Sequence, residues 1–354
     1  MAGRSRRRLL VKPLPQRLGI DPISLKLPTE FPEDLRTRVD TPTPTIAQYL
    51  IARFYPDTPE VVNRLFCQGE VVTEDGTPLP LDAPFEGGLT IWYYRELSQE
   101  PQLPDDIPVL YEDEWILVVD KPHFLPTTPR GMFVAQTALT KLRVQHQNPL
   151  LSPVHRLDRA TAGVLVFSKI PQSRGPFQTL FQSRRIVKEY EAVAPLIPQL
   201  EGSGSPWQVV RSHIVKNRQQ VQVIQHSEQQ CLSLGLEPNA LSEVELVRSI
   251  QYSTNQLHQL RLEHNPRLVA PNSRNLYGVY RLKPHSGKTH QLRAHMLLLG
   301  APILGDTLYP TVCHEFPDEQ NLPLQLLAKR ISLRHPLTGE DLVVTSSRTL
   351  ALAQ

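Results

Sequence analysis

The sequence predicts an α+β fold with a largely antiparallel sheet, and three observations carry that prediction. Continuous apolar runs and alternating apolar–polar runs recur between residues 115 and 345. Few segments in that stretch have helical periodicity. Strands and helices do not alternate regularly, which argues against a doubly wound parallel sheet. The chain has 354 residues, 40 % hydrophobic and 21 % charged, enough apolar mass for one large domain or two ordinary ones. Its 34 prolines and 17 glycines together stay well below the ~25–30 % that marks low complexity.

Residues 1–40 are rich in proline and basic residues and read as an extended or loosely packed arm. A small helix-then-strand module follows over 41–97. Thr45 is placed to cap a helix with Ile46, Tyr49, Leu50 and Phe54 on one face. A second helix from Pro59 buries Val61, Val62, Leu65 and Phe66 before Gly69 stops it. VVTEDGTPL then reads as strand and turn, with Asp75-Gly76 as the hairpin signal, and residues 89–94 as another strand. An acidic, proline-spaced linker occupies 98–108, and the main domain runs over 109–354. Within it WILVVD (115–120) and GVLVFSK (163–169) are continuous apolar strands, the pattern of strands buried on both faces. Residues 173–183 read as a helix and 187–194 alternate as a strand. Further strands are predicted at 207–215, 219–225, 242–248, 277–283, 324–333 and 341–345. A helix over 289–299 ends at Gly300. Residues 251–275, polar and irregular between two strands, read as an insertion.

The three cysteines, Cys67, Cys231 and Cys313, are far apart with no CxxC spacing, which argues against a disulfide framework or a cysteine zinc site. No apolar run approaches the ~18 residues of a membrane span. The N-terminal MAGRSRRRLLVKPLP lacks the longer apolar stretch of a signal peptide. A cytoplasmic, monomeric protein with no membrane and no metal partner is expected. The net charge of +3 conceals local asymmetry. Residues 1–26 hold seven Lys/Arg against Asp21, 151–190 hold seven basic and two acidic residues, and 274–295 hold five basic and none acidic. Residues 96–114 hold seven acids and no base. A single block is most simply a solvated face; several separated blocks favour a polyanion partner, nucleic acid.

The most informative stretch is PVHRLDRATAGVLVFSK, 153–169. Asp158, flanked by Arg156 and Arg159, lies just before a turn and a buried strand. Adjacent positive charge favours the carboxylate, and an ionised carboxylate in a cleft can serve as nucleophile or base. On spacing alone the plainer reading is an aspartate that caps a turn or pairs with an arginine. Two other patterns fail. Gly287-Lys288-Thr289 lacks the glycine five positions earlier that a phosphate-binding loop needs, since Leu282 stands there. His285, His290 and His295 are five apart and lack the i, i+4 spacing of a zinc helix.

VHRLDRATAGVLVFSK resembles the signature of the RluA-type pseudouridine synthases, which read close to HRLDxxTSGL. Lys188-Glu189-Tyr190 is similar to that family's second motif, and LKPHSGKTHQLRAHMLLLGAPILGDTLYP (282–310) to its third. With WILVVDKP (115–122), the resemblance spans 109–345. It implies a catalytic domain with a mostly antiparallel mixed sheet and a central cleft, in which uridine in RNA is isomerised to pseudouridine. The base is detached from the ribose, rotated and rejoined through carbon 5, without redox change, so no cofactor and no metal is implied. The family's aspartate maps onto Asp158, its aromatic platform for the uracil onto Tyr190, and the arginine paired with the aspartate onto Arg293. Arg156 would fill the space left by the flipped nucleotide. Lys288, Thr289, His290 and Gln291 would contact the substrate.

Whether Asp158 attacks base or sugar, or abstracts a proton, the sequence leaves open. RNA is the implied partner, large-subunit rRNA first and tRNA second. Ala162 replaces the usual serine, Lys288 a common arginine, and Ala328-Lys329 a common histidine and alanine. The 41–97 module resembles the family's N-terminal RNA-binding module through Arg64 and Gly69-Glu70-Val71-Val72. Two rival readings are a catalytically silent RNA-binding protein and a hydrolase with an aspartate nucleophile. The first has no chemical need for Asp158, Tyr190 and Arg293 together, and the second lacks a water-activating partner.

Overall fold

In the computed structural model the described residues are 12–39, 41–97, 100–201, 207–217, 219–264, 269, 275–313 and 322–354. They form two compact units, Met1–Glu100 and Pro101–Gln354.

The first unit contains β1 (Ile23–Lys26), α1 (Glu33–Arg36), α2 (Ile46–Phe54), α3 (Pro59–Cys67), β2 (Val72–Thr73) and β3 (Thr90–Tyr93). Thr45 caps α2 as expected. Its hydroxyl accepts from the Gln48 amide at 3.1 Å, and the Gln48 side chain accepts from the Thr45 amide at 2.9 Å, a reciprocal capping box. Ile46, Leu50, Val62, Leu65 and Ile91 share one core. The loose-arm reading of residues 1–40 is corrected over the described part. β1 pairs antiparallel with β3, Ile23 opposite Tyr93, and Leu27, Phe31 and Leu35 are buried in the same core. Prolines on either side hid a strand too short to show much alternation. Arg64 lies on α3 as the module resemblance places it, but it is paired with Glu96.

The second unit contains β4 (Val109–Glu112), β5 (Ile116–Lys121), α4 (Ala138–Gln145), β6 (Ser152–Pro153), β7 (Ala162–Ser168), α5 (Pro171–Gln182), β8 (Val187–Pro195), β9 (Gln208–Val215), β10 (Ile224–Ser227), α6 (Glu228–Leu234), β11 (Ala240–Gln251), α7 (Thr254–Glu263), β12 (Leu276–Pro284), α8 (Gln291–Leu298), β13 (Leu326–Arg334) and β14 (Asp341–Thr345). Its eleven strands make one sheet in the order β10-β9-β11-β12-β8-β13-β7-β5-β4, with β14 on β13 and β6 on β7. Every pairing is antiparallel except β13 with β7. β5 and β7 are buried along their whole length, as their unbroken apolar runs require. The linker reading of 98–108 is corrected beyond residue 100. Leu103 and Ile107 are buried with Leu117, Leu139 and Leu142, so this segment belongs to the second unit. The insertion at 251–275 is not irregular throughout, because α7 occupies part of it with Leu257 buried. Its residues 265–268 and 270–274 lie outside the described ones. Among the described residues no helix is long and apolar enough to cross a membrane.

The single parallel pairing sets the centre of the fold. Leu327 and Ala328 run beside Ala162 and Gly163, and Gly163 has φ +109° with the Ala328 carbonyl where a side chain would be. A Cβ on Gly163 would lie 2.2 Å from that oxygen. Any side chain must push β7 and β13 apart, and the backbone conformation is one that only glycine adopts freely. Gly163→Ala is therefore expected to cost about 2–4 kcal/mol of unfolding free energy. Urea titration of the two proteins measures it, and equal midpoints would contradict the close approach.

Candidate active site

Asp158 sits in the loop between β6 and β7, and the loop is pinned from behind by the chain that follows β5. Thr127 donates its hydroxyl to the Leu157 carbonyl at 2.9 Å and accepts from the Leu157 amide at 3.2 Å. Lys121, fully buried at the end of β5, donates to the carbonyls of Pro122 (2.9 Å), Leu125 (2.8 Å) and Arg159 (3.2 Å). His123 donates through Nδ1 to the Ala160 carbonyl at 2.7 Å. The Thr161 amide closes the turn on the Asp158 carbonyl at 3.1 Å. These bonds hold the main chain on both sides of Asp158 and leave its carboxylate free for other work. Burial pushes the Lys121 ammonium down to about 7, against the pull of the nearby Asp158 charge. Sequence reading passed over Lys121, His123 and Thr127. The available signal was an aspartate and a lysine, Asp120 and Lys121, closing an apolar run, residue types that stay buried only with partners.

Arg293 provides the counter-charge. It lies buried in α8, and its Nη1 reaches Asp158 Oδ2 at 3.4 Å. Its Nε and Nη2 grip Asp306 in a bidentate pair at 2.7 and 2.5 Å. Asp306 is itself fixed by the amides of Leu308 (2.8 Å) and Tyr309 (3.0 Å). Burial disfavours the charged guanidinium, but Asp306 and then Asp158 more than offset it. The sequence-level expectation that Arg156 and Arg159 flank the carboxylate does not describe this geometry. Arg156 is exposed on the cleft wall, and Arg159 lies over the rings of Phe124 and Phe133. Asp306 was not singled out from LGDTLYP, because its partner lies thirteen positions earlier on a different element.

Tyr190 on β8 faces the same cleft. Burial, reinforced by Asp158, pushes its hydroxyl far above the ordinary phenol range. Its hydroxyl is therefore held protonated, a donor. His290 is at φ 53°, ahead of α8, with Nδ1 3.1 Å from the Tyr309 hydroxyl. The same hydroxyl accepts from the Val223 amide at 2.9 Å. Burial pushes His290 below the usual imidazole range.

Lys288 and Thr289 are exposed on the loop before α8 and border the cleft. Gln291 also lines the cleft, and its side-chain amide is taken up within the protein. Its oxygen accepts from the Ser286 hydroxyl (2.8 Å) and the Lys288 amide (3.1 Å). Its nitrogen donates to the Leu241 carbonyl and Ser242 hydroxyl, both at 2.9 Å. All four hydrogen-bonding positions of the amide are taken, so Gln291 ties the loop to β11. The three histidines share no site. His285 pairs with Glu243, His290 with Tyr309 and His295 with Ser212.

These groups meet in a cleft of about 990 Å³. Arg130, Arg156, Arg184, Lys188, Lys216 and Lys288 line it around Arg293, and Asp158 is the single acid of its lining among the described residues. One carboxylate with a buried counter-charge, an aromatic ring in the same cleft and several basic side chains around them make a geometry that could take an aromatic base carried on a polyanion.

Residues 115–298 match the model of a family described as RNA pseudouridylate synthase. A dual-specificity RNA pseudouridine synthase RluA of Salmonella typhi is 31 % identical over 250 residues, 69 % of this chain and 92 % of that protein. The tRNA pseudouridine(31) synthase of Saccharomyces cerevisiae is 27 % identical over 263 residues, 72 % of this chain, and the match spans 58 % of the yeast protein. Among solved structures, Human RNA Pseudouridylate Synthase Domain Containing 1 shares the fold. Its TM-score is 0.50 at 21 % identity, over 71 % of this chain and 86 % of that one. Because the family match runs through the segment that carries Asp158, Tyr190 and Arg293, and the Salmonella relative is covered nearly end to end, the chain belongs to the RluA-type RNA pseudouridine synthases.

Proposed function

We propose that this chain isomerises specific uridines in structured RNA through Asp158, with Tyr190 as the platform for the detached uracil and Arg293 as the charge that keeps Asp158 ionised. The observation that carries the reading is the Asp158–Arg293 contact in a cleft whose other charged lining residues, among the described ones, are basic. Arg156, exposed beside Asp158, is the group placed to enter the RNA as the nucleotide leaves its stack. Lys288 and Thr289 are placed to meet the backbone. Two RNA classes compete as substrate, large-subunit rRNA and tRNA. The yeast relative's name specifies tRNA, so tRNA is tested first. Unmodified tRNA and large-subunit rRNA transcripts are incubated with the pure protein and their pseudouridines mapped. New pseudouridine at defined positions in one pool supports the reading. None in either pool, with none missing from the RNA of a deletion strain, overturns it.

RNA affinity should fall steeply with salt, since each phosphate neutralised by Lys or Arg releases counterions, with a slope near −0.7 per single-strand contact. Residues 1–11, which carry Arg4, Arg6, Arg7 and Arg8, lie outside the described residues. Deleting them should flatten the dependence. The truncation must stop there, because removing residues 1–26 would take β1 out of its sheet. An unchanged slope would show that the basic N-terminus makes no phosphate contact.

A further inference from the structure

One cation in the cleft has no part in the chemistry above. Lys188 lies on β8 two residues before Tyr190, so both side chains leave the same face of the strand about 7 Å apart. Both line the cleft. The Lys188 ammonium donates to the Ser286 carbonyl at 3.3 Å, a long bond, and no carboxylate among the described residues forms an ion pair with it. The adjacent Glu189 leaves the opposite face, paired in register with Arg330. Arg184, on the same cleft wall, adds a second positive charge. Burial first, then Arg184, pushes the Lys188 ammonium below the ordinary lysine range. Two neighbouring cations, one of them half-buried and neither paired with an acid among the described residues, raise the local electrostatic cost. An anion entering the cleft would relieve that cost.

We propose that Lys188, supported by Arg184, binds the RNA phosphodiester next to the target uridine and so grips the backbone one step from the base platform. The inference rests on the pseudouridine-synthase reading of the same cleft and adds a substrate-binding residue to it. Under that reading the ligand carries one negative charge per nucleotide, and a lysine ammonium suits phosphate as a point charge. A neutral base edge would leave the charge uncompensated.

The full chain is titrated with an unmodified tRNA transcript across a salt series, comparing wild type with Lys188→Met, Lys188→Gln and Lys188→Arg. Lys188→Met should weaken binding about tenfold at low salt, the effect of one charge-assisted contact. It should also make the log–log salt slope shallower by about 0.7. Lys188→Gln keeps a donor for the Ser286 carbonyl, so it should show the same slope change with unaltered thermal stability. Lys188→Arg should stay near wild type in both. A lysine that merely holds the Ser286 loop would leave the slope unchanged in the Met and Gln variants, and that result overturns the proposal. Pseudouridine formation by wild type on tRNA and rRNA transcripts is measured in parallel. Activity with unchanged slopes sinks only the Lys188 contact, whereas no activity on either pool sinks the enzyme reading and this inference with it.

Discussion

Asp158→Asn should abolish pseudouridine formation while RNA binding survives. The amide keeps the shape of the carboxylate but loses its charge and its nucleophilicity. A loss of about four orders of magnitude or more in turnover is expected when such a group is removed. The fold should tolerate the change for two reasons visible in the site. The loop around Asp158 is held through its main chain by Thr127, Lys121 and His123 rather than through the carboxylate. Arg293 keeps its bidentate partner Asp306, so no buried charge is orphaned. Single-turnover rates on a common RNA, with affinity measured alongside, check the expectation. Turnover near the wild-type rate would remove Asp158 from the chemistry, whatever the rest of the cleft does.

The same separation between local and tertiary information explains what could be read from the sequence. β5 and β7 were legible because strands buried on both faces need unbroken apolar runs, and the α2 cap because Thr45 and Gln48 are three residues apart. α6 and α7 were not, although Ser227–Gln230 and Ser253–Gln256 are capping boxes of the same kind. Each of these helices buries only one residue, Cys231 or Leu257, so no apolar stripe marks it. α4, capped by Thr137, also went unread. In the candidate site, Asp158, Tyr190 and Arg293 were singled out through motifs, each recognisable within a few neighbours, and the fold brings them to one cleft. Asp306, Lys121 and Thr127 act through partners that the sheet brings to them from elsewhere in the chain. Gln291 is the complementary case. It stands inside a motif that borders the cleft, yet its amide points to β11, and only the folded register shows that.

The string His-Gln-Leu-Arg occurs twice, at 258–261 and 290–293, and only the second is expected to matter for turnover. Arg261 lies on α7, where its charge acts on Tyr277, and it is no part of the cleft lining. Arg293 is buried between Asp158 and Asp306. Unit charges ~4 Å apart interact by about 4 kcal/mol at an effective dielectric near 20. Breaking a buried pair from one side typically costs about 3–5 kcal/mol, much of it the penalty on the abandoned charge. Arg293→Met abandons two carboxylates at once, so it should lower both the melting temperature and the rate. At ~1.4 kcal/mol per decade, turnover of the folded fraction should drop by about two orders of magnitude or more. Asp306→Asn separates the two effects. It keeps one oxygen to accept from Arg293 but replaces the other with an NH2 donor, which weakens the grip on Arg293 without taking the cation away from Asp158, so its rate should fall between wild type and Arg293→Met. Arg261→Met should remain close to wild type in rate. Rates on the same RNA, corrected for folded protein, decide the matter. Equal losses at the two arginines, or a larger one at Arg261, would show that the buried Arg293–Asp158 contact is not what keeps the carboxylate ready to react.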